Sequence, residues 1–323
     1  MPMPKAPDPA GVRRAILRWY ARNGRPFPWR RTRDPYRILL SEIMLQQTQA
    51  DRVAARFPRF LESYPDIESL ANAPKSDVLR AWSGMGYNNR AVRLHGAVKE
   101  VVARYGGAVP PDTGALEELP GVGKYTAHAI ACFAHGRRVP VVDVNIRRVL
   151  SRIFHPMKST REAIAEQAAW DLAAAVLPAS AYYSWHQALM DFGAMVCSAR
   201  APKCVSCPVR AGCLSVRYLR GGRGKGSTGR VPAGGRRAVA DPAPRKTEPS
   251  HLGVPRRVWR GRIVEALRAA RGPRSITELR RLVRPSGEPA SAQWLGEIVG
   301  RLEKDGVVEV RREGRRSAVA LAS

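Results

Sequence analysis

Leu119-Pro120-Gly121-Val122-Gly123-Lys124-Tyr125-Thr126-Ala127 is the stretch on which the reading of this chain turns. Preceded by Leu-Pro and followed by Thr-Ala, its Gly-x-Gly turn opens an apolar helix. A helix N-terminus directs free N–H groups and the positive end of its dipole toward an anion, and glycine is needed where backbone must approach a ligand closely. The stretch reads as a phosphate grip in which Gly121, Gly123 and Lys124 meet the anion. It is not a Walker A loop, because the position five before Gly123 is Glu118, where that motif requires glycine.

The surrounding text is helical. From Val12 to about Tyr218 apolar residues recur at three- and four-residue spacing, as in Ile38, Leu39, Ile43, Met44 and Val53. Prolines at 65, 74, 110, 111, 120 and 156 predict many short helices joined by tight turns. In that setting the Gly-Val-Gly turn has the form of a helix-hairpin-helix that binds DNA backbone. Arg220 to about Gly253 is rich in Gly, Pro, Arg and Lys with almost no large apolar residue, which predicts a flexible basic linker. Beyond it, Val258, Ile263, Val264 and Leu267 mark one helix, Ser275 to Val283 a second, and Leu295, Ile298 and Leu302 a third. Val307 to Arg311 and Ser317 to Leu321 then flank a turn at Glu313-Gly314, predicting a β-hairpin. Three helices followed by a hairpin is the winged-helix order, whose third helix would read a DNA groove. A protein-docking or oligomerising module is the alternative, since fold does not fix function.

Composition points to a polyanionic partner. Lys plus Arg outnumber Asp plus Glu by 55 to 27 in 323 residues, a formal charge of +28, which favours nucleic acid through phosphate neutralisation and counterion release. A general arginine enrichment from coding bias is the bland alternative. From residue 218 onward there are 24 basic and 10 acidic residues, so the last third carries half of the net charge. The first thirty residues lack the apolar core of a signal peptide, and no stretch approaches a membrane-spanning run of about 18 residues. A cytoplasmic, nucleoid-associated protein without membrane contact is expected.

Four of the five cysteines stand close together: Cys197, six residues to Cys204, two to Cys207, five to Cys213. An odd count in a chain without an export signal disfavours a disulfide framework. Zinc sites usually show paired short knuckles, whereas only Cys204 and Cys207 form a C-x2-C pair; ligation of an iron-sulfur cluster fits better, with zinc as the alternative. The same loop carries Arg200, Lys203 and Arg210, so a cluster would act as a staple presenting basic side chains to phosphate. Cys132, alone in the apolar run Ala127 to Ala134, reads as a buried small hydrophobe.

Two acids stand out. Asp143 follows a short apolar run and precedes a helix, a place suited to a helix N-cap or to an active-site carboxylate, and sequence alone favours the cap. Glu42 could be an ordinary first-turn helix residue, but its apolar neighbours favour an uncharged acid.

With these pieces in order, the chain resembles the MutY-type adenine DNA glycosylases of the helix-hairpin-helix superfamily, which also contains endonuclease III. The likeness covers about residues 12 to 217. It rests on Ser41-Glu42-Ile43-Met44-Leu45-Gln46-Gln47-Thr48, Gly84-Met85-Gly86-Tyr87, Leu119 to Ala127, and Val142-Asp143-Val144-Asn145, followed by the cysteines. The resemblance implies a mainly α core over 1–217 with a 4Fe-4S loop at 197–213; the linker over 218–253 and the winged-helix-like domain over 254–323 are read from the residues and stand where the family has another domain. It implies a monomer acting on double-stranded DNA with mismatched or damaged base pairs, removing adenine opposite 8-oxoguanine or guanine. The target base would be flipped out of the stack. Glu42 would protonate the leaving adenine and position water, and ionised Asp143 would stabilise the oxocarbenium-like sugar. Tyr125 and Asn145 would line the pocket around these acids. Leu45 and Gln47, in the run that includes Gln46, would fill the vacated stack, with Thr48 near the opposite base and Tyr87 intercalated beside it. Arg200 and Lys203 would contact DNA. Bifunctional relatives carry a nucleophilic lysine at the Tyr125 position; Lys124 is one residue away, about 100° around the helix, which implies a monofunctional enzyme. Val144 stands where the family pattern has Gly, Asn88 follows Tyr87 where a second aromatic is common, and the family's Nudix-like C-terminal domain is not recognisable. Removal of thymine or uracil opposite guanine, or of hypoxanthine, is the alternative within the fold; a non-enzymatic, cluster-containing DNA-binding regulator is the alternative outside it.

Overall fold

Aspartate followed by proline starts two of the long helices. Asp8 accepts from the N–H groups of Ala10 and Gly11 (3.0 and 2.7 Å) ahead of α1 (Pro9–Asn23), and Asp34 accepts from the N–H of Arg37 (2.9 Å) ahead of α2 (Pro35–Leu45). In both helices proline fills the first position, where no intrahelical N–H bond is lost. The computed structural model describes residues 7–219, 248–270, 272–284, 287–313 and 316–323. The helices α3 (Ala50–Ser63), α4 (Ile67–Asn72), α5 (Lys75–Ala81), α6 (Asn89–Tyr105) and α7 (Thr113–Glu117) follow, then α8 (Lys124–Phe133), α9 (Val144–Phe154), α10 (Glu166–Ala175), α11 (Tyr182–Met195) and α12 (Val216–Leu219). The expected succession of short helices is present, and no strand interrupts it among the described residues.

Two compact units share the chain: Met1–Arg33 with Lys124–Ala243, and Asp34–Gly123 with Pro244–Ser323. In the first, α1, α9, α10 and α11 bury Ile16, Ile146, Val149, Trp185, Leu189 and Phe192, each contributing about 1.5–3 kcal/mol by leaving water. Trp19 meets Phe192 edge-on at 5.3 Å. Fully buried Asp191 on α11 is held by Arg30 (2.7 and 3.0 Å) and by the backbone N–H and Nε of Arg25 (2.9 and 2.8 Å). Burial alone would raise the pKa of this carboxyl, but the bonds and charges of the two arginines bring it below the ordinary value. Cys132 is buried as expected, its thiol pushed up to about 12 by burial.

In the second unit, α2 to α6 close around Leu39, Leu40, Ile43, Leu70, Trp82 and Leu94, all essentially inaccessible. The same unit holds β1 (Ser250–His251), β2 (Val254–Pro255), α13 (Arg256–Ala269), β3 (Arg274–Ser275), α14 (Ile276–Leu282), α15 (Ala292–Lys304), β4 (Val308–Glu313) and β5 (Arg316–Leu321). The three helices bury Trp259, Ile263, Leu279, Leu295 and Ile298 together with Val319 of β5. The predicted hairpin is β4 and β5, antiparallel with Val310 opposite Val319; the centre of its turn, residues 314–315, lies outside the described residues. A third strand, β3, pairs with β5 on the other side. Two residues are too few to show a strand periodicity.

The linker expected over 218–253 needs correction at both ends. Residues 218–219 complete α12, and β1 pairs with β2 across Leu252-Gly253, both at positive φ (52° and 71°). Such a two-residue turn requires that backbone and normally announces itself with Asn-Gly, a signal missing here. The body of the expected linker, 220–247, lies outside the described residues.

Replacing Asp191 by Asn should destabilise the protein by about 3 kcal/mol at neutral pH, because two guanidinium groups then face a neutral amide in the core. The folded pKa of Asp191 is depressed, so its contribution is fully present above the unfolded value of about 3.9 and is lost as pH falls through the folded one. The gap between wild-type and variant urea midpoints should therefore be constant near neutrality and shrink below about pH 4. A gap that grows on acidification would contradict the assignment.

Candidate active site

Two exposed side chains in the second unit stand on backbone that non-glycine residues rarely adopt. Gln47 has φ 53° and Tyr87 has φ 44°, and the Tyr87 side chain is 56% exposed. Each such conformation costs about 1–3 kcal/mol and persists only where the surroundings impose it. Here one buried guanidinium does so. Arg90 donates from Nη1 to the carbonyls of Ile43, Met44 and Gln46 (3.1, 2.8 and 2.5 Å). From Nη2 it donates to Thr48 Oγ1 and to the carbonyls of Met85 and Gly86 (2.9, 3.1 and 3.1 Å). Its cation also lies 5.3 Å from the Trp82 ring centre and 5.7 Å from that of Tyr87. Burial lowers its pKa to about 10, so it remains charged at neutral pH. The 45–48 and 84–87 segments are thus fastened to one cation.

Glu42 is 4% exposed between buried Ser41 and Ile43. It lies in the last turn of α2 rather than the first, where helix carbonyls disfavour a negative charge. Leu45, the last residue of α2, and Thr48, in the turn that follows, are partly buried. Gln46 donates from Nε2 to the Gly121 carbonyl (3.0 Å), tying this turn to the glycine-rich stretch. Gly121 has φ 80°, and a Cβ there would stand 2.8 Å from Arg93 Cβ, so glycine is obligatory for the fold. Gly123 differs: a Cβ there would meet nothing within 4 Å, so what its glycine keeps open is solvent.

In the first unit, Lys124 is exposed with its ammonium 4.4 Å from the Trp170 ring centre, while the next residue, Tyr125, is partly buried. Asp143 is the helix N-cap that the sequence favoured. One oxygen caps α9 by accepting from the Ile146 N–H (2.6 Å), and the other accepts from Asn145 Nδ2 (2.8 Å). Burial pushes its pKa up, while these bonds and the Arg148 charge oppose the rise. Arg148 extends the arrangement, donating to Asn145 Oδ1 and to the carbonyls of Gly193 and Cys197 (2.8, 2.7 and 2.9 Å). Gly193 on α11 is packed so tightly that a Cβ would stand 2.7 Å from Asn145 Cβ. Val144 is 77% exposed, so the residue that departs from the expected pattern points to solvent.

Cys197, Cys204, Cys207 and Cys213 line one cavity, with Arg152, Phe192 and Val209 among its walls. Burial pushes Cys207 up to about 12 and Cys213 up to about 11, and the neighbouring thiols add to both shifts. Mutually repelling buried thiolates of this kind are stabilised by a cation bound among them, so the donor set suits a thiophilic metal group. The four side chains are nevertheless not gathered as a metal site: among the described residues no group of three or more His, Cys, Asp or Glu could hold an ion. Arg152, 1% exposed, organises the loop by donating to the carbonyls of Ser198, Ala199 and Thr160 (2.8, 3.0 and 2.9 Å). Arg200 and Lys203 are exposed.

Arg90, Arg148 and Arg152 are absent from the sequence-based set. Arg90 was detectable in principle, because it falls on the buried face of α6 with Leu94, Val98 and Val101, where an arginine needs a reason.

Residues 40–174 match the family described as HhH-GPD superfamily base excision DNA repair protein. The chain is 38% identical over 265 residues to the adenine DNA glycosylase of Mycobacterium tuberculosis, covering 82% of this chain and 81% of that one. It is 38% identical over 193 residues to the thymine/uracil-DNA glycosylase of Methanothermobacter thermautotrophicus, covering 59% and 87% respectively. Among solved structures, a thermostable thymine-DNA glycosylase superposes with a TM-score of 0.60 at 35% identity, over 66% of this chain and 96% of that one.

Substituting Arg90 by Lys keeps the charge but replaces a planar fork with a point donor, which cannot serve both loops. We expect the variant to lose about 3 kcal/mol of stability. Amide exchange should accelerate at 45–48 and 84–87 together; acceleration of only one segment would mean that they are held separately.

Proposed function

The chain belongs to the HhH-GPD superfamily of base excision DNA repair proteins and, within it, to the MutY-type adenine DNA glycosylases, and from that premise we propose how its residues divide the work. The reaction is hydrolysis of the N-glycosyl bond joining adenine to DNA, with adenine opposite 8-oxoguanine or guanine as the preferred lesion. The adenine leaves the stack, because its glycosidic bond is out of reach inside the duplex. Gln47 and Leu45 enter the vacated space, and Tyr87 inserts beside the opposite base with Thr48 close by. The observation that carries this reading is the pair of exposed side chains on left-handed backbone, held outward by one cation. Side chains fixed in advance lose little entropy on insertion, and stacking returns about 1–3 kcal/mol per base.

Glu42 acts as the acid. Its proton goes to N7 of the departing adenine as the glycosidic electron pair moves onto the base, and the resulting carboxylate takes a proton from the attacking water. Asp143 stays ionised and stabilises the positive charge that develops on the sugar. Its bonds from Ile146 and Asn145 support that role, since hydrogen bonds to a carboxylate favour the charged form against burial. Asn145 steadies Asp143, and Tyr125 is a further residue of the base pocket. The enzyme is monofunctional, for Lys124 is engaged over Trp170 and Tyr125 offers no amine.

Gly121 and Gly123 present backbone to a DNA phosphate, with Lys124, Arg200 and Lys203 adding charge. Cys197, Cys204, Cys207 and Cys213 are the ligands for a 4Fe-4S cluster, which when bound supplies iron–thiolate bonds that cross-link the loop carrying Arg200 and Lys203. The order helix, strand, two helices and hairpin after residue 255 is that of a winged helix, and we read it as a further DNA-contacting module. Thymine or uracil opposite guanine is the second reading, favoured by the likeness to the thymine glycosylases.

Glu42→Gln and Asp143→Asn should each lower single-turnover excision by at least about a thousandfold while leaving duplex binding nearly intact; retained turnover in either would refute the assignment. Comparison of A:8-oxoG, A:G, A:C, T:G, U:G and hypoxanthine duplexes separates the two readings. Borohydride should trap no covalent adduct. Cys207→Ser should lower bound iron and acid-labile sulfide, and unchanged iron would exclude it as a ligand.

A further inference from the structure

Arg268, in the last turn of α13, reaches out of the C-terminal elements to the segment that joins α5 and α6. Its side chain is 7% exposed. Nε donates to the Leu79 carbonyl (2.8 Å), Nη2 to Asn88 Oδ1 (2.9 Å) and Nη1 to Glu265 (2.5 Å). Glu265 in turn accepts from Ser83 Oγ (3.4 Å). These contacts bracket residues 80–87, the stretch that ends in Tyr87.

Both acceptors belong to helix ends. Leu79 lies in the final turn of α5, where carbonyls lack intrahelical partners and a cation is favoured. Asn88 occupies the N-cap position of α6, where an asparagine side chain ordinarily accepts from an N–H of its own helix. It makes no such bond. Its carbonyl faces Arg268 instead, so α6 forgoes a cap and the C-terminal module holds the residue next to Tyr87. The same Asn88 is the position where the family pattern commonly has a second aromatic. Arg90 fastens the loop from the interior, and Arg268 fastens its two ends from the module.

We propose that the C-terminal module is a specificity-determining element that positions Tyr87 through Arg268, so that it influences which base is accepted opposite the excised one. This rests on the reading of Tyr87 as the side chain inserted beside that base. The module's role is then larger than adding positive charge: it is a structural part of the surface that meets the strand opposite the target. Arg268 is a positioning residue and touches no reacting atom.

The test uses the full chain with Arg268→Ala, Asn88→Ala and the double substitution. In the free protein, amide exchange over residues 83–91 should rise about tenfold in Asn88→Ala, the value expected for losing one charged hydrogen bond, and at least as much in Arg268→Ala, which also loses the Leu79 bond. The double variant should exchange no faster than Arg268→Ala alone, because that substitution already removes the bond that Asn88 accepts, and amides of α15 should be unaffected. The ratio of single-turnover excision on A:8-oxoG to that on A:C should fall by about tenfold in parallel, with affinity for undamaged duplex unchanged. Arg268→Lys, which keeps the charge and stem but cannot serve both acceptors, should show the same exchange pattern and replaces the alanine variant if that one does not fold. Unchanged exchange at 83–91, additive effects of the two substitutions, or loss of duplex affinity at a constant excision ratio would each overturn the proposal. If the wild-type chain releases no base from any duplex, the functional reading fails, while the exchange measurement still decides whether Arg268 holds the loop.

Discussion

A single buried cation sets the geometry of the surface that carries Gln47 and Tyr87. Among the described residues Arg90 has no carboxylate as a hydrogen-bond partner; it is solvated by five backbone carbonyls and one hydroxyl. Carbonyl dipoles replace water around the guanidinium, and in doing so they fix the path of two chain segments far apart in sequence. Neither segment could otherwise keep a non-glycine residue in the left-handed region without relaxing. The strain is local, but the interaction that sustains it is shared, so the two protruding side chains behave as one preorganised unit. Preorganisation of that kind lowers the entropy lost when a surface closes on a ligand.

Asp143 shows the same economy in the first unit. One oxygen of Asp143 caps α9 while the other is held by Asn145, so the two oxygens have separate partners. The start of the helix and the placement of the charge are therefore one event in folding. Arg148 and Arg152 carry that order onward, linking Asn145 to the Cys197 carbonyl and then the following loop carbonyls to the core.

Much of this was legible because its signals are local. The Gly-x-Gly turn, the acid before α9, the cysteine spacing and the helix–hairpin order near the C-terminus are each written within a few residues. Arg148, Arg152 and Arg268 were not legible for the opposite reason, and Arg90 was legible only by its place on the apolar face of α6. In a chain with a formal charge of +28 an arginine attracts no notice, and what distinguishes these four is the set of distant carbonyls they meet. Strand β3 and the β1–β2 turn escaped because they are too short or lack the usual turn residues. The first-turn alternative offered for Glu42 fails because Asp34-Pro35 marks the start of α2, which puts Glu42 in its last turn.

The contact between Gly193 and Asn145 has a consequence for how the sequence can drift. Gly193 sits within α11, a helix whose visible task is to fill the core, and it carries no chemistry. Any side chain there would press first on the residue that steadies Asp143. Position 193 is thus closed to substitution by a demand that arises at the start of α9, and a change within one helix would register first at the cap of another. Such a lesion would be misjudged by its address: it looks like core packing, and it belongs to the carboxylate.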